Sequence, residues 1–150
     1  MIVHPLTDAD LAQRTDIATR DDVDVLVRSF YRYAAMDEVL GPIFEAARVD
    51  WPSHIDTLIE FWAWQLLGQR GYEGNPLRAH EPVNAVTPFA DEHFERWLEL
   101  FTGTIDENFV GATAEVAKVR AIKMAKAMRR LLRGVDDDAG ASIEPVWHQR

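Results

Sequence analysis

The sequence contains no cysteine among its 150 residues. That single absence excludes disulfides, thiolate zinc sites, iron–sulfur clusters, thiol nucleophiles and cofactors attached through a thioether. A reducing cytoplasm suits such a chain, and a cytoplasmic location is expected. No uncharged apolar stretch of 18 residues occurs, so no membrane-spanning helix is expected. The start, Met1-Ile2-Val3-His4-Pro5-Leu6-Thr7-Asp8, has neither a cationic region nor a long apolar run, so no signal peptide is expected. Positive charge is scarce. Sixteen Lys plus Arg face 25 Asp plus Glu, a net charge of −9, which disfavours nucleic acid or an anionic membrane as the main partner. What the chain does have is 47% hydrophobic residues, enough for one packed core at this length. Five Trp and seven Phe point to a core with large flat surfaces.

The hydrophobic spacing is helical throughout, and no credible strand pattern occurs. Residues 21–35 open on Asp21 and Asp22, which suit a helix N-terminus, and bury Val23, Val27, Phe30, Tyr31 and Ala34 on one face. Residues 37–40 could add a turn; Gly41-Pro42 is expected to break it, ahead of a short helical piece over 43–47. Asp50-Trp51-Pro52-Ser53 reads as a helix start, with Asp50 as cap. The helix then runs to about Leu67 with a stripe of Ile55, Leu58, Ile59, Trp62 and Leu66, beside His54, Phe61 and Gln65. Gly68 ends it. Gly68, Gly71 and Gly74 form a loop without the strand or the Gly-Lys ending that a phosphate loop needs. A short helix is expected from Asn75-Pro76 to about Glu81, stopped by Pro82. Phe89, Phe94, Trp97, Leu98, Phe101 and Ile105 mark a helix from Pro88 to about Phe109. After Gly111, a last helix over 113–133 turns Ala117, Ala121, Met124, Met128 and Leu131 inward. Residues 135–150 read as a loose tail, and residues 1–134 as one all-α domain.

Common catalytic signatures are missing. There is no His-Glu-x-x-His, no Gly-x-Ser-x-Gly elbow, no EF-hand loop, and no His preceded three residues earlier by Glu, as a di-iron bundle needs. Residues 118–133 carry seven basic side chains and no acid. On a chain of charge −9 this reads as a surface helix whose last turns complement its own dipole, without nucleic-acid or membrane binding.

What remains is a set of polar residues on apolar helix faces: Tyr31, His54, His80 and Trp97. Each alone suits a core position with its polar atom satisfied. Together they suit a flat cofactor. An imidazole on a short helix is an axial ligand for haem iron. Dioxygen bound on the other face gains negative charge, which a phenol, imidazole or indole donor would stabilise. With no cysteine, such a haem would be held non-covalently.

At these residues the sequence resembles the group III truncated haemoglobins, short two-over-two globins of bacteria. The matching elements are Phe30-Tyr31, Leu40-Gly41-Pro42-Ile43-Phe44, Trp51-Pro52-Ser53-His54, Phe61-Trp62, Leu66-Leu67-Gly68, Tyr72-Glu73-Gly74-Asn75-Pro76, His80 and Phe94-Glu95-Arg96-Trp97-Leu98. They run in order over residues 15–133. The resemblance implies an all-α, two-over-two helical sandwich around haem b, with His80 as the iron ligand. It implies a polar distal cluster of Tyr31, His54 and Trp97. It places Phe44 and Trp62 against the porphyrin, with Tyr72 and Arg78 as further cofactor contacts. The implied function is binding of dioxygen and other diatomic ligands, by a monomer or weak dimer. Oxygen, nitric oxide or peroxide chemistry would need an external reductase, because a lone domain of this kind has no flavin or nicotinamide module. The competing expectation is a haem-free helical interaction module of the same topology.

Overall fold

The structure is a computed structural model that describes residues 13–72, 74, 79, 80, 82, 84 and 88–133 (of Arg133, the backbone alone). The expected tail over 135–150 and Arg78 lie outside the described residues. Five helices are complete: α1 Arg20–Ala34, α2 Gly41–Ala47, α3 Trp51–Leu67, α4 Asp91–Asn108 and α5 Ala112–Arg133. The described residues within 79–84 are helical as well. Among the described residues, extended pairing is limited to one isolated bridge between Thr15 and Phe109, where the Val110 N–H donates to the Thr15 carbonyl at 3.0 Å. No helix of the described residues is long and apolar enough to cross a membrane.

Helix α1 begins with a reciprocal cap. The Thr19 hydroxyl accepts from the Asp22 N–H at 3.2 Å, while the Asp22 carboxylate accepts from the Thr19 N–H at 3.0 Å. The expected face is buried, joined by Leu26, and Tyr31 stays half-buried at its edge. Gly41-Pro42 does not break a helix; it starts one. Proline fits the first turn of α2, where its missing N–H has no partner to lose. Ahead of it, one Asp37 oxygen accepts from the N–H groups of Val39 and Leu40 at 3.0 and 3.1 Å. The other oxygen takes the Arg96 fork at 2.7–2.8 Å, which ties the α1–α2 loop to α4. Burial opposes the Asp37 charge, but the Arg96 bond and the two backbone donors outweigh it and hold the carboxyl below its ordinary pKa.

Helix α3 follows the expected bounds. Asp50 makes no side-chain cap bond; instead its carbonyl accepts from the His54 N–H at 2.8 Å. Gly68 closes the helix at φ 70°, the left-handed conformation that favours glycine. Pro82 does not stop the helical segment after Tyr72, because Pro82 and Asn84 are themselves helical. Proline's fixed φ is a helical φ, so it ends a helix only where its missing N–H or its ring interferes with the preceding turn. Phe89 is buried but precedes α4 rather than belonging to it.

Helix α5 is capped from far away in sequence. Asp16 accepts from the N–H groups of Thr113 and Ala114 at 2.9 and 2.8 Å. Gly111 is required at this junction. Its φ is 145°, and a Cβ there would stand 2.4 Å from the Asp16 carboxyl carbon.

Two helix pairs form the body. Helix α4 packs on α5, α1 packs on α3, and α1 crosses α4 between them, the two-over-two arrangement. Val23, Leu26, Phe30, Ile59, Trp62, Phe101 and Ile105 fill the centre. Burying large apolar side chains at about 25 cal/mol per Å² is the main force holding the pairs together.

Candidate functional site

A cavity of about 220 Å³ lies between the two pairs. All five helices reach it: Val27, Phe30 and Tyr31 from α1, Ile43 and Phe44 from α2, and His54, Leu58, Phe61 and Trp62 from α3. His80 and Phe89 reach it from the connection to α4, His93, Phe94 and Trp97 from α4, and Met124, Ala125 and Met128 from α5. Protein interiors are close-packed, so an apolar space of this size left within the core is unusual. A well-formed apolar pocket of this kind suits a bound group. No Asp, Glu, Lys or Arg is among the described lining residues, so the group it suits is largely apolar.

The walls are flat and aromatic. Trp97 lies parallel to Phe101 (ring centroids 5.0 Å apart, 6° between planes), and Phe101 stacks on Trp62 at 4.9 Å. Trp62 is fully buried and forms the end of that stack. Phe44 stands edge-on to Tyr31 at 5.7 Å. Tyr72 is buried, parallel to Trp64 at 5.8 Å and edge-on to Phe61 at 5.1 Å. All four described residues expected to contact a cofactor, His80, Phe44, Trp62 and Tyr72, therefore line one space.

Three residues expected to form a polar cluster line it too, though they are not equally close. Tyr31 and His54 meet at 5.1 Å, ring against ring. Trp97 is separated from Tyr31 by Phe30, with centroid distances of 6.0 Å and 4.7 Å. Burial pushes the Tyr31 phenol well above its ordinary pKa, so it stays a hydrogen-bond donor at neutral pH. Burial also lowers His54 to a pKa of about 4, helped by repulsion from His80. His54 is thus neutral at pH 7, and both imidazoles line the same cavity.

The His54 Nε2 is buried without a hydrogen-bond partner. An unpaired buried polar atom costs about 1–3 kcal/mol, so this orphan implies a partner inside the cavity. Among the described residues, no group of three or more His, Asp or Glu could hold a metal ion by itself. A bare ion therefore does not fit, whereas a metal carried in its own flat macrocycle, needing only an imidazole from the protein, does. Flat walls, an uncharged lining, His80 facing the space and the orphaned His54 nitrogen all agree with haem.

The sequence did not flag His93 as part of this site. Its Nδ1 accepts from the Ala90 N–H at 2.8 Å, which leaves the proton of the neutral ring on Nε2. A histidine three positions after a helix cap is a readable local signal; its place at the cavity is not, because that follows from the packing of α4 on the rest. The cavity role of Met124, Ala125 and Met128 was likewise hidden within an ordinary inward stripe.

Fold and site together define a globin. Residues 15–130 match the family described as bacterial-like globin, and the chain belongs to it. Within that family it is a group 3 truncated haemoglobin. It is 32% identical over 117 residues to the group 3 truncated hemoglobin Ctb of Campylobacter jejuni, covering 75% of this chain and 90% of that protein. The crystal structure of the group III truncated hemoglobin from C. jejuni superposes with a TM-score of 0.72 at 31% identity, over 80% of this chain and 95% of that one.

Proposed function

We propose that this globin holds one haem b non-covalently in the cavity, through His80, and binds dioxygen and other diatomic ligands beside Tyr31, His54 and Trp97. The observation that carries the reading is the buried His54 Nε2 without a partner, beside Tyr31 in an uncharged aromatic cavity that His80 also lines. Bound haem would supply an iron centre that takes up such ligands. The rest falls to the chain. His80 would hold the iron by a ring nitrogen. Phe44, Trp62 and Tyr72 would confine the macrocycle by packing, and Arg78 would be a further contact. Tyr31 would donate its hydroxyl proton to a polar ligand; its raised pKa keeps that proton in place, and burial strengthens the bond by excluding water. Neutral His54 would stand beside Tyr31, at the entrance to the ligand, and Trp97 would offer a second N–H.

The domain proposed is residues 1–134, and the family match over 15–130 supports it. Enzymatic turnover with nitric oxide or peroxide would need an external reductant. The test is titration of the purified chain with hemin: a sharp Soret band saturating at one equivalent supports the reading, and a broad, non-saturating spectrum contradicts it.

A further inference from the structure

The charge of this chain is segregated. Helix α5 carries seven basic residues and one acid, a net +6. The whole chain carries −9, so everything outside α5 carries −15. Not all seven cations are available. Lys118 is held by Asp106 at 2.8 Å and Glu115 at 3.0 Å. Arg120 donates to the carbonyl and side chain of Gln65 at 2.7 and 2.8 Å. Arg129 reaches Asp91 at 3.6 Å. Lys123 and Lys126 are exposed and have no ion-pair partner among the described residues. Beside them Val119 and Ile122 leave 49% and 41% of their surface in water. Positions 119, 122, 123 and 126 recur at three to four residues, so they form one outer face of the helix.

The inner face of the same stretch is the cavity wall, through Met124, Ala125 and Met128. A molecule seated on the outer face is therefore separated from the cavity by one helix, about 10–12 Å across. An apolar centre flanked by unpaired cations is the anatomy of a transient protein interface, and on a chain otherwise strongly negative it selects an acidic partner by charge. It does not select an extended polyanion, which would run onto surface carrying the opposite bias.

We propose that this face of α5 docks a small acidic one-electron donor protein, which reduces haem held in the cavity; the redox part rests on the function proposed above. One electron leaves the donor's reduced centre and enters ferric iron, which becomes ferrous. No covalent bond forms or breaks, and no proton moves. Steering of this kind raises association rates by 10-fold or more at low salt and fades as the Debye length shrinks.

The test uses the full chain loaded with hemin and, as probe, a flavodoxin in its hydroquinone state. The rate of ferrous formation is followed by stopped-flow absorbance at several ionic strengths. Binding of oxidised flavodoxin is measured separately by calorimetry, which does not depend on the iron. Lys123→Glu/Lys126→Glu is expected to slow reduction roughly 10-fold at low salt and to weaken binding in parallel, with the difference vanishing at high salt. Arg28→Glu/Arg32→Glu, an equal change of charge at exposed positions on α1, is expected to have less than a third of that effect. Reduction by dithionite is expected to be the same in every variant. Equal reduction and binding by the Lys123/Lys126 variant and the parent overturn the proposal. So does a dimer of the parent that the same substitutions dissociate, which would give the face to a second copy, or a salt-sensitive complex with duplex DNA at physiological salt. If the chain takes up no hemin, the function proposed above fails, and the calorimetry still decides the docking.

Discussion

Replacing Tyr31 by Phe removes one oxygen atom and little else. The ring is held by four neighbours: Phe30 at 4.7 Å, His54 at 5.1 Å, and Phe44 and Trp51 both at 5.7 Å. Phenylalanine fills the same place, so the variant isolates the hydroxyl. In the proposed function that hydroxyl donates to bound dioxygen, which carries partial negative charge. A hydrogen bond to a charged acceptor contributes about 1.5–3 kcal/mol, and each 1.36 kcal/mol is tenfold. Tyr31→Phe should therefore speed dioxygen dissociation by roughly 10–100-fold. Carbon monoxide is less polar when bound, so its dissociation should change much less. The phenol's raised pKa keeps the donor protonated through neutral pH, so the ratio should hold from pH 6 to pH 8. Trp97 could partly replace the lost donor, but Phe30 stands between the two rings, so a Tyr31→Phe/Trp97→Phe double variant should show nearly additive effects. His54→Leu should have a smaller effect on release if that side chain mainly gates access. Stopped-flow release of both gases is the measurement. Equal dioxygen rates in the parent and all three variants would refute the polar cluster while leaving the haem assignment intact.

Three other outcomes follow from the geometry. His54 has a folded-state pKa of about 4 against an ordinary 6.5, so the unfolded chain binds more protons between those values; the contribution of neutral His54 to stability is complete well above pH 6.5 and is lost as pH drops toward 4, by at most about 3 kcal/mol. Urea titrations of the apo-protein should show that loss, and His54→Leu should flatten it; a parent profile with no slope in that window would contradict the burial argument. Gly111→Ala should destabilise by about 2 kcal/mol or more and Asp16→Ala by about 1–2 kcal/mol, and the pair should be markedly non-additive because both disturb the same α5 cap; simple additivity in thermal melts would count against it. A gel shift with the parent at physiological salt should show no nucleic-acid complex at low micromolar protein, and a tight complex there would contradict the reading of the basic helix.

Much of the fold was legible because its determinants are local. The helical stripes through Val23, Val27 and Phe30, or through Phe94, Trp97 and Phe101, are short-range patterns, and Gly68 marks its helix end by conformation alone. Gly111 was readable as a boundary but not as a necessity, since the side chain that demands it, Asp16, is 95 residues away. The Asp37–Arg96 pair was invisible for the same reason. Pro42 and Pro82 were misjudged because proline's effect depends on which turn it occupies. At the site, Tyr31, His54, His80 and Trp97 stood out as polar residues on apolar faces. The unequal distances among them, and the presence of His93, depend on how α3 and α4 pack against α1. Composition and spacing cannot express that.

The central claim is that His80 holds haem iron. It is tested most directly by His80→Gly titrated with hemin, with and without added imidazole, beside the parent. The parent should saturate at one hemin per chain with a sharp Soret band. The variant should lose tight uptake and the parent's ferrous spectrum, and free imidazole should restore both by entering the space the side chain left. A variant that takes up hemin with parental affinity and the parental ferrous spectrum, without imidazole, would contradict the assignment.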